Sequence, residues 1–308
     1  MSQEGSFCIP AKALVDSVNK IPNCNLEVKL DDTTLTLKHK TGKFKINGIS
    51  SSEYPDFPQL DEGSKQINLS AEKLLEGLKA VLFSASSDET KQVLTGVNFK
   101  SLADNGISLA TTDGHRLSIY SYETEDAIEE CTIPAKVLQE LTKIVKPYSN
   151  FRLTTSDTIA IINSDNVVVA FRTLVGYYPS YWSLIPKQFS RDCCISRKEL
   201  IETIERVNPM SDAKENIVKL SFIPDEQKLE LTTENREVGS AVDTINCEFS
   251  GDPITVCLKA RYALEALKSL NGEHVQIKIN EALTPLIFSQ LGSGVSNLRL
   301  LMPIQLRN

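Results

Sequence analysis

The chain has 308 residues, of which 41 % are apolar and 24 % charged, and a formal net charge of −7. That length suggests two or three globular domains; no apolar run reaches membrane-spanning length and no cleavable leader pattern precedes one, so the protein reads as soluble and cytoplasmic. Seven cysteines, an odd number without C-x-x-C spacing and with Cys193 and Cys194 adjacent, read as reduced, mostly buried thiols rather than disulfides or zinc ligands.

In chain order, Phe7-Cys8-Ile9 leads into a helix from Pro10 in which Leu14, Val15, Val18 and Ile21 fall at i, i+1, i+4 and i+7. Alternating Leu26/Val28/Leu30, Leu35/Leu37 and Phe44/Ile46 then read as three strands, with turns at Asp31-Asp32 and Thr41-Gly42. The same order returns from Ile67-Asn68-Leu69, with helix positions Leu74, Leu75, Leu78 and Val81 and strands through Val97/Phe99, Ile107/Leu109 and Leu117/Ile119. A third copy enters at Ile133-Pro134-Ala135-Lys136, with Val137, Leu138, Leu141 and Ile144 on the helix and strands at Phe151–Leu153, Ile159–Ile161 and Val167–Phe171. The fourth carries Leu200, Ile201, Ile204 and Val207, then Val218/Leu220/Phe222, Leu229/Leu231 and Val238/Ala241. The fifth carries Ala263, Leu264, Leu267 and Leu270, then Val275/Ile277/Ile279, Leu286–Phe288 and Leu298–Leu300. The helix templates start 60, 63, 63 and 63 residues apart, so the chain is an internal repeat. Five βαβββ units predict an α+β fold dominated by antiparallel sheet.

A longer period lies over this one. Glu53–Pro58 has a counterpart in Tyr177–Trp182, and Pro55, Pro179 and Pro303 are spaced by 124 residues, two repeats. Pairs of repeats therefore make domains, expected at 1–62, 63–190 and 191–308, and by this arithmetic the first holds a single repeat. Either its companion lies upstream of residue 1, the simpler account, or its apolar face is covered in some other way. Left alone, that face would put Leu14, Val18 or their neighbours in water, and a loose first domain and poor dimerisation are the expected consequence. The charge is also unevenly placed. The five helical segments 10–20, 70–80, 134–146, 196–206 and 259–268 hold thirteen Lys or Arg against eight Asp or Glu, so positive charge gathers on one repeated element of an acidic chain.

Recurring βαβββ pairs with a basic helix, the segment Thr112-Asp113-Gly114-His115-Arg116-Leu117 and the ending Met302-Pro303-Ile304-Gln305-Leu306 together resemble the β sliding clamp of bacterial DNA polymerase III, over nearly the whole chain. The resemblance implies tandem clamp domains, helices on the inner face and antiparallel sheets on the outer face of an arc or ring. It implies a homodimer closed head to tail around double-stranded DNA, and a processivity factor that tethers the replicative polymerase, the clamp loader and repair polymerases by short peptide motifs. Such a ring slides and reads no bases, so its cations meet phosphates only. Lys12, Lys136, Arg197, Lys198, Lys259 and Arg261, near helix starts in four repeats, are the candidates. A truncated clamp that binds peptides without encircling DNA is the alternative.

The resemblance also implies a hydrophobic slot for partner peptides, matched here by Leu94, Thr112, Gly114, His115, Arg116, Leu117, Pro179, Leu184, Leu283, Leu300, Met302, Pro303 and Ile304. Met302 suits a groove that adapts to different peptides, Gly114 allows positive φ, and Arg116 has the reach to bond a peptide carboxylate or carbonyl. On sequence alone Leu94, Leu117 and Leu283 fit plain core better. Gln305 stands where the family commonly has arginine, and Arg307-Asn308 extend beyond the usual end. Ring closure would use Ile21, Phe44 and Ile46 on one side and Pro209 and Met210 on the other, joining edge strands with unpaired backbone. His115 beside Asp113 reads as a turn-stabilising pair rather than an acid/base dyad. The sequence has no phosphate-loop, dinucleotide or H-E-x-x-H motif, so no catalysis, cofactor or metal is expected.

Overall fold

The computed structural model describes residues 4–60, 64–103, 105–145, 150–156, 158–164, 167–293 and 296–305. It divides into two compact units, Met1–Gln59 and Leu60–Asn308. Unit 1 runs β1 (Phe7–Cys8), α1 (Ala11–Val18), β2 (Glu27–Asp31), β3 (Thr34–His39), β4 (Gly42–Asn47) and β5 (Ile49–Ser50). In unit 2 the second repeat is β6 (Lys65–Ser70), α2 (Ala71–Val81), β7 (Gly96–Leu102), β8 (Gly106–Thr112) and β9 (Arg116–Glu123). The third is β10 (Cys131–Pro134), α3 (Ala135–Ile144), β11 (Asn150–Thr155), β12 (Ile159–Ser164) and β13 (Val167–Arg172). The fourth is β14 (Arg191–Ser196), α4 (Arg197–Val207), β15 (Ile217–Ile223), β16 (Lys228–Asn235) and β17 (Gly239–Asn246), with the short β18 (Glu248–Ser250). The fifth is β19 (Ile254–Lys259), α5 (Ala260–Ser269), β20 (His274–Ile279), β21 (Leu286–Gln290) and β22 (Asn297–Leu301).

The helices form where the repeat places them, and their starts have local causes. Ser70 Oγ accepts from Lys73 N and Ser196 Oγ from Glu199 N, each at 3.3 Å, so α2 and α4 begin on serine caps. Asn208-Pro209 follows α4, and proline cannot extend the ladder. The buried residues of α4 are Leu200, Thr203, Ile204 and Val207, one stripe at helical period. In α5 the stripe is Ala260, Ala263, Ala266 and Leu267, small residues that admit a close neighbour. Accordingly α4 packs with α5 and α2 with α3, and α2 also meets α5.

Within unit 2 the first strand of each repeat pairs with a strand of the neighbouring repeat, although β14 also takes the short β18 of its own on its other edge. β6 pairs with β11 of the next repeat, while β10 pairs with β7 of the previous one. Likewise β14 pairs with β20, and β19 with β15. Two repeats are thereby interlocked by exchanged strands, and neither can complete its sheets alone. β9 and β22 then pair antiparallel, Leu117 opposite Leu300, to merge two sheets into one of nine strands, in the order β10-β7-β8-β9-β22-β21-β20-β14-β18. Four-stranded sheets β13-β12-β11-β6 and β17-β16-β15-β19 complete the two cores. A third, smaller core of Ala110, Leu117, Ile119, Tyr178, Ile287 and Leu300 lies at the β9–β22 join.

Unit 1 differs. Its β1 pairs with β5, and β2-β3-β4 form a three-stranded sheet. Leu37 and Ile46 are buried, but no residue of α1 is, Val15 is 51 % exposed and β2 is exposed along its whole length. The expected deficit at Leu14 and Val18 is therefore present, with Leu14 half-buried and Val18 exposed.

Candidate peptide slot and nucleic-acid interface

The turn between β8 and β9 is built by one carboxylate. Asp113 Oδ1 accepts from the backbone N–H groups of His115 (2.9 Å) and Arg116 (3.1 Å), and its Oδ2 takes Arg116 Nε at 3.0 Å. Gly114 between them sits at φ +93°, a conformation a side chain strains to reach. Thr112 Oγ1 donates to Arg116 O at 2.6 Å, and Thr112 N donates to the Tyr178 hydroxyl at 3.0 Å. Burial pushes that phenol up in pKa, so it stays protonated. Met302 N donates to His115 O at 2.9 Å, which pins the C-terminal segment along the turn, and Ile304 N donates to Cys257 O at 2.8 Å.

The apolar side chains of the expected slot differ in burial. Leu117 and Leu300 are buried across the β9–β22 pair, with Leu94 half-buried against the same small core. Leu184 (56 % exposed), Leu283 (55 %) and Met302 (39 %) face solvent, as do Pro179, Gly114 and the His115 side chain, and Pro303 and Ile304 are half-buried. Leu117 is core, as its sequence suggests. Leu283 is not: it lies in the connection into β21, where no sheet covers it.

Arg116 requires correction. Its guanidinium is spent inside the chain, on Asp113, on Phe83 O at 2.7 Å and on the Glu265 carboxylate, and its side chain is only 7 % exposed. It stacks 4.2 Å from the centroid of Tyr262 and 5.3 Å from that of Phe83. These contacts fasten the turn to α5. Burial opposes ionisation of Glu265, yet hydrogen bonds and charge from Arg116 and Arg261 hold it below its usual range. Phe83, Tyr178, Tyr262 and Glu265 were not legible as site residues; the one signal was Arg261 and Glu265 four apart on a helix, a common surface pair.

The candidate phosphate contacts separate into two groups. Lys12 and Lys198 are exposed, Lys136 meets Glu89 at 3.3 Å with both side chains largely in water, and Arg261 meets Glu265 at 3.0 Å. Lys259 lies 5.3 Å above the Tyr262 ring. Lys259 and Arg261 share a cavity of about 580 Å³ with Lys214 and Lys268, two cations the repeat template did not single out. Arg197 belongs elsewhere: its Nε donates to Gly272 O at 2.7 Å, so it binds carbonyls just past the end of α5. Of the interface candidates, Phe44 (stacked on His39 at 5.8 Å) and Pro209 are exposed, and Ile21 and Met210 half-buried. Ile46 is corrected, because it points into unit 1 opposite Leu35 and is 7 % exposed.

Comparison with known proteins decides the family. Family models of the DNA polymerase III beta subunit match in series, the N-terminal domain at residues 1–58, the central domain at 68–180 and the C-terminal domain at 182–304. A beta sliding clamp of Synechococcus elongatus is 35 % identical over 324 residues, spanning 100 % of this chain and 84 % of that protein. The chain belongs to the DNA polymerase III beta subunit family. The beta sliding clamp of Bacillus subtilis is 28 % identical, spanning 99 % of this chain and 82 % of its own. The crystal structure of a DNA polymerase sliding clamp from Bacillus subtilis matches the fold with a TM-score of 0.89 at 27 % identity, covering 99 % of this chain and 81 % of that one. Among the described residues, no helix is long and apolar enough to cross a membrane.

Proposed function

We propose that this chain is a sliding clamp that encircles double-stranded DNA as a head-to-tail homodimer, acts in the cytoplasm and catalyses nothing itself. Three domains, 1–62, 63–190 and 191–308, would form its half of the ring. The replicative polymerase, the clamp loader and repair polymerases would dock short peptides on Leu184, Leu283 and Met302 above the Leu117 and Leu300 floor. The observation that carries this reading is the β9–β22 join, which binds two domains together and offers the buried Leu117 and Leu300 as an apolar floor beside the exposed Met302. Lys136, Lys198, Lys259 and Arg261 would touch phosphates, whose contacts are strong, salt-dependent and indifferent to sequence. The carboxylate of Asp113 is committed to two backbone amides and Arg116, which leaves His115 without a general-base partner there. Closure would bring β4 of one chain to β17 of the other, both edge strands of their sheets.

The test is retention on nicked circular DNA, followed by linearisation. A topological tether stays on the circle and slides off the ends, whereas retention on both forms overturns encirclement. A polymerase-tail peptide should capture the full chain and lose a version cut before Met302. A second reading, a peptide-binding scaffold that does not close, is favoured by the lack of any buried residue in α1 and in β2. Peptide capture without retention on the circle would select it.

A further inference from the structure

Away from the slot, the two sheets of the 65–178 region are strapped together at one end. Leu174 N donates to Thr132 O on edge strand β10 (2.8 Å), and Thr173 N donates to Thr158 O in the turn before β12 (3.1 Å). A cavity of about 780 Å³ remains beside this strap. Its polar wall is short of donors. Asn98 is 1 % exposed; its Nδ2 donates to Glu130 Oε1 at 3.2 Å, but among the described residues its Oδ1 has no hydrogen-bond partner. Ser64 Oγ, also on the cavity wall, is buried and equally without one. Buried polar atoms are nearly always satisfied, so two orphans on one cavity point to a guest.

The charge on that wall says which guest. Glu129 and Glu130 both line it, and Glu130 Oε2 is shared with Lys100 Nζ at 2.8 Å. Burial first, and these carboxylates second, push the neighbouring Cys131 thiol up to about 12. An anion would be repelled. Gly176, at φ +127°, also lines the cavity, and Val175 and Tyr177 on either side of it are 76 % and 100 % exposed. A wholly exposed tyrosine ring is a platform on which a planar cation stacks.

We propose that this cavity binds a guanidinium group on an apolar stem, the chemistry of an arginine side chain. Asn98 Oδ1 and Ser64 Oγ accept from its N–H fork, the Glu130 carboxylate supplies countercharge, and Tyr177 covers its face. A planar fork of five donors can serve several acceptors at once in a fixed plane and stack on a ring, which the compact ammonium of lysine does less well. The inference stands whether or not the chain encircles DNA.

The test is an NMR titration of the whole ¹⁵N-labelled chain with N-acetyl-arginine amide, its neutral isostere N-acetyl-citrulline amide, and an acetylated Gly-Arg-Gly peptide. The arginine amide should give saturable shifts at the Asn98 side-chain amide and at the Thr132 and Tyr177 backbone amides. Citrulline should bind at least about tenfold more weakly, as expected for losing a charge-assisted hydrogen bond. Tyr177→Ala, which removes no packing, and Glu130→Gln should each weaken arginine binding several-fold while the remaining spectrum keeps its dispersion. Tighter binding of the peptide than of the amide assigns the site to an arginine of a protein partner, and equal binding to a small guanidino compound. Citrulline binding as tightly as arginine, shifts that do not saturate, or two variants with unaltered affinity would overturn the proposal.

Discussion

Gly114 shows how one residue type settles a turn. A Cβ added there would meet nothing within 4 Å, so space is not the constraint; the backbone at φ +93° is. Gly114→Ala should therefore cost about 1 kcal/mol of stability without a clash, read as a lower urea midpoint at unchanged slope. An unchanged midpoint would mean that the turn relaxes freely. Tyr122 makes the opposite case, a residue that suits the fold poorly. Its hydroxyl is buried with no hydrogen-bond partner among the described residues, and burial, aided by Asp126, pushes its pKa from 10.0 up to about 12. The folded chain holds this proton at a pH where the unfolded chain has released it. Its contribution is thus complete below pH 10 and disappears as the pH climbs to about 12. Tyr122→Phe should leave stability at pH 8 equal or higher and remove roughly 1.4 kcal/mol of the loss between pH 8 and pH 11, about one pKa unit of the shift. Urea melts at pH 8 and pH 11 check both halves; a parallel fall in variant and parent would refute the assignment.

At the scale of elements, the link between α5 and the β8–β9 turn is a chain of charges, Arg261 to Glu265 to Arg116 to Asp113. One end carries a candidate phosphate contact and the other the rim of the slot. Glu265→Gln keeps the shape and removes the central charge. Amide exchange at His115 and Arg116 should quicken and peptide affinity fall, each by about tenfold, since a hydrogen-bonded charge pair is worth 1 kcal/mol or more. Exchange at the parent's rate would show that the stacking of Arg116 between Phe83 and Tyr262 suffices. The helices offer a sharper contrast. Lys198→Ala should lower the slope of log affinity for duplex DNA against log salt by about one, whereas Arg197→Ala should spare the slope and lower stability, because Arg197 binds carbonyls. The sequence shows why these two look alike: they are adjacent, at one helix start, and equally basic. Periodicity locates the apolar stripe of each helix, since each face packs on residues close in sequence. It carries no information on a guanidinium whose carboxylate lies 149 residues away, which is how far Arg116 is from Glu265.

Across the molecule, the βαβββ order is legible because every strand alternates and every helix keeps its stripe, but the exchange of first strands is not. β6 reads the same whether it pairs inside its repeat or with β11, because pairing is decided by partners about 80 residues distant. That exchange explains the two kinds of stability expected here. In unit 2 the exchanged strands and the nine-stranded sheet make residues from β6 to β22 depend on one another, so they should unfold together. In unit 1, α1 has no buried residue, and Val15, Val18, Val28 and Leu30 remain exposed. Each forgoes roughly half of the about 1.5–3 kcal/mol that full burial of such a side chain contributes. Hydrogen exchange on the 308-residue chain should therefore show unit 1 amides exchanging at least about a hundredfold faster than those of β9 and β22. Denaturation should show a first transition confined to residues before 60, and sedimentation at low micromolar concentration should show mostly monomer, because β4, one side of the expected closure, sits on the weaker unit. A single transition in which both units lose protection together, or a clean dimer, would mean that the open face of α1 and β2 is covered in solution.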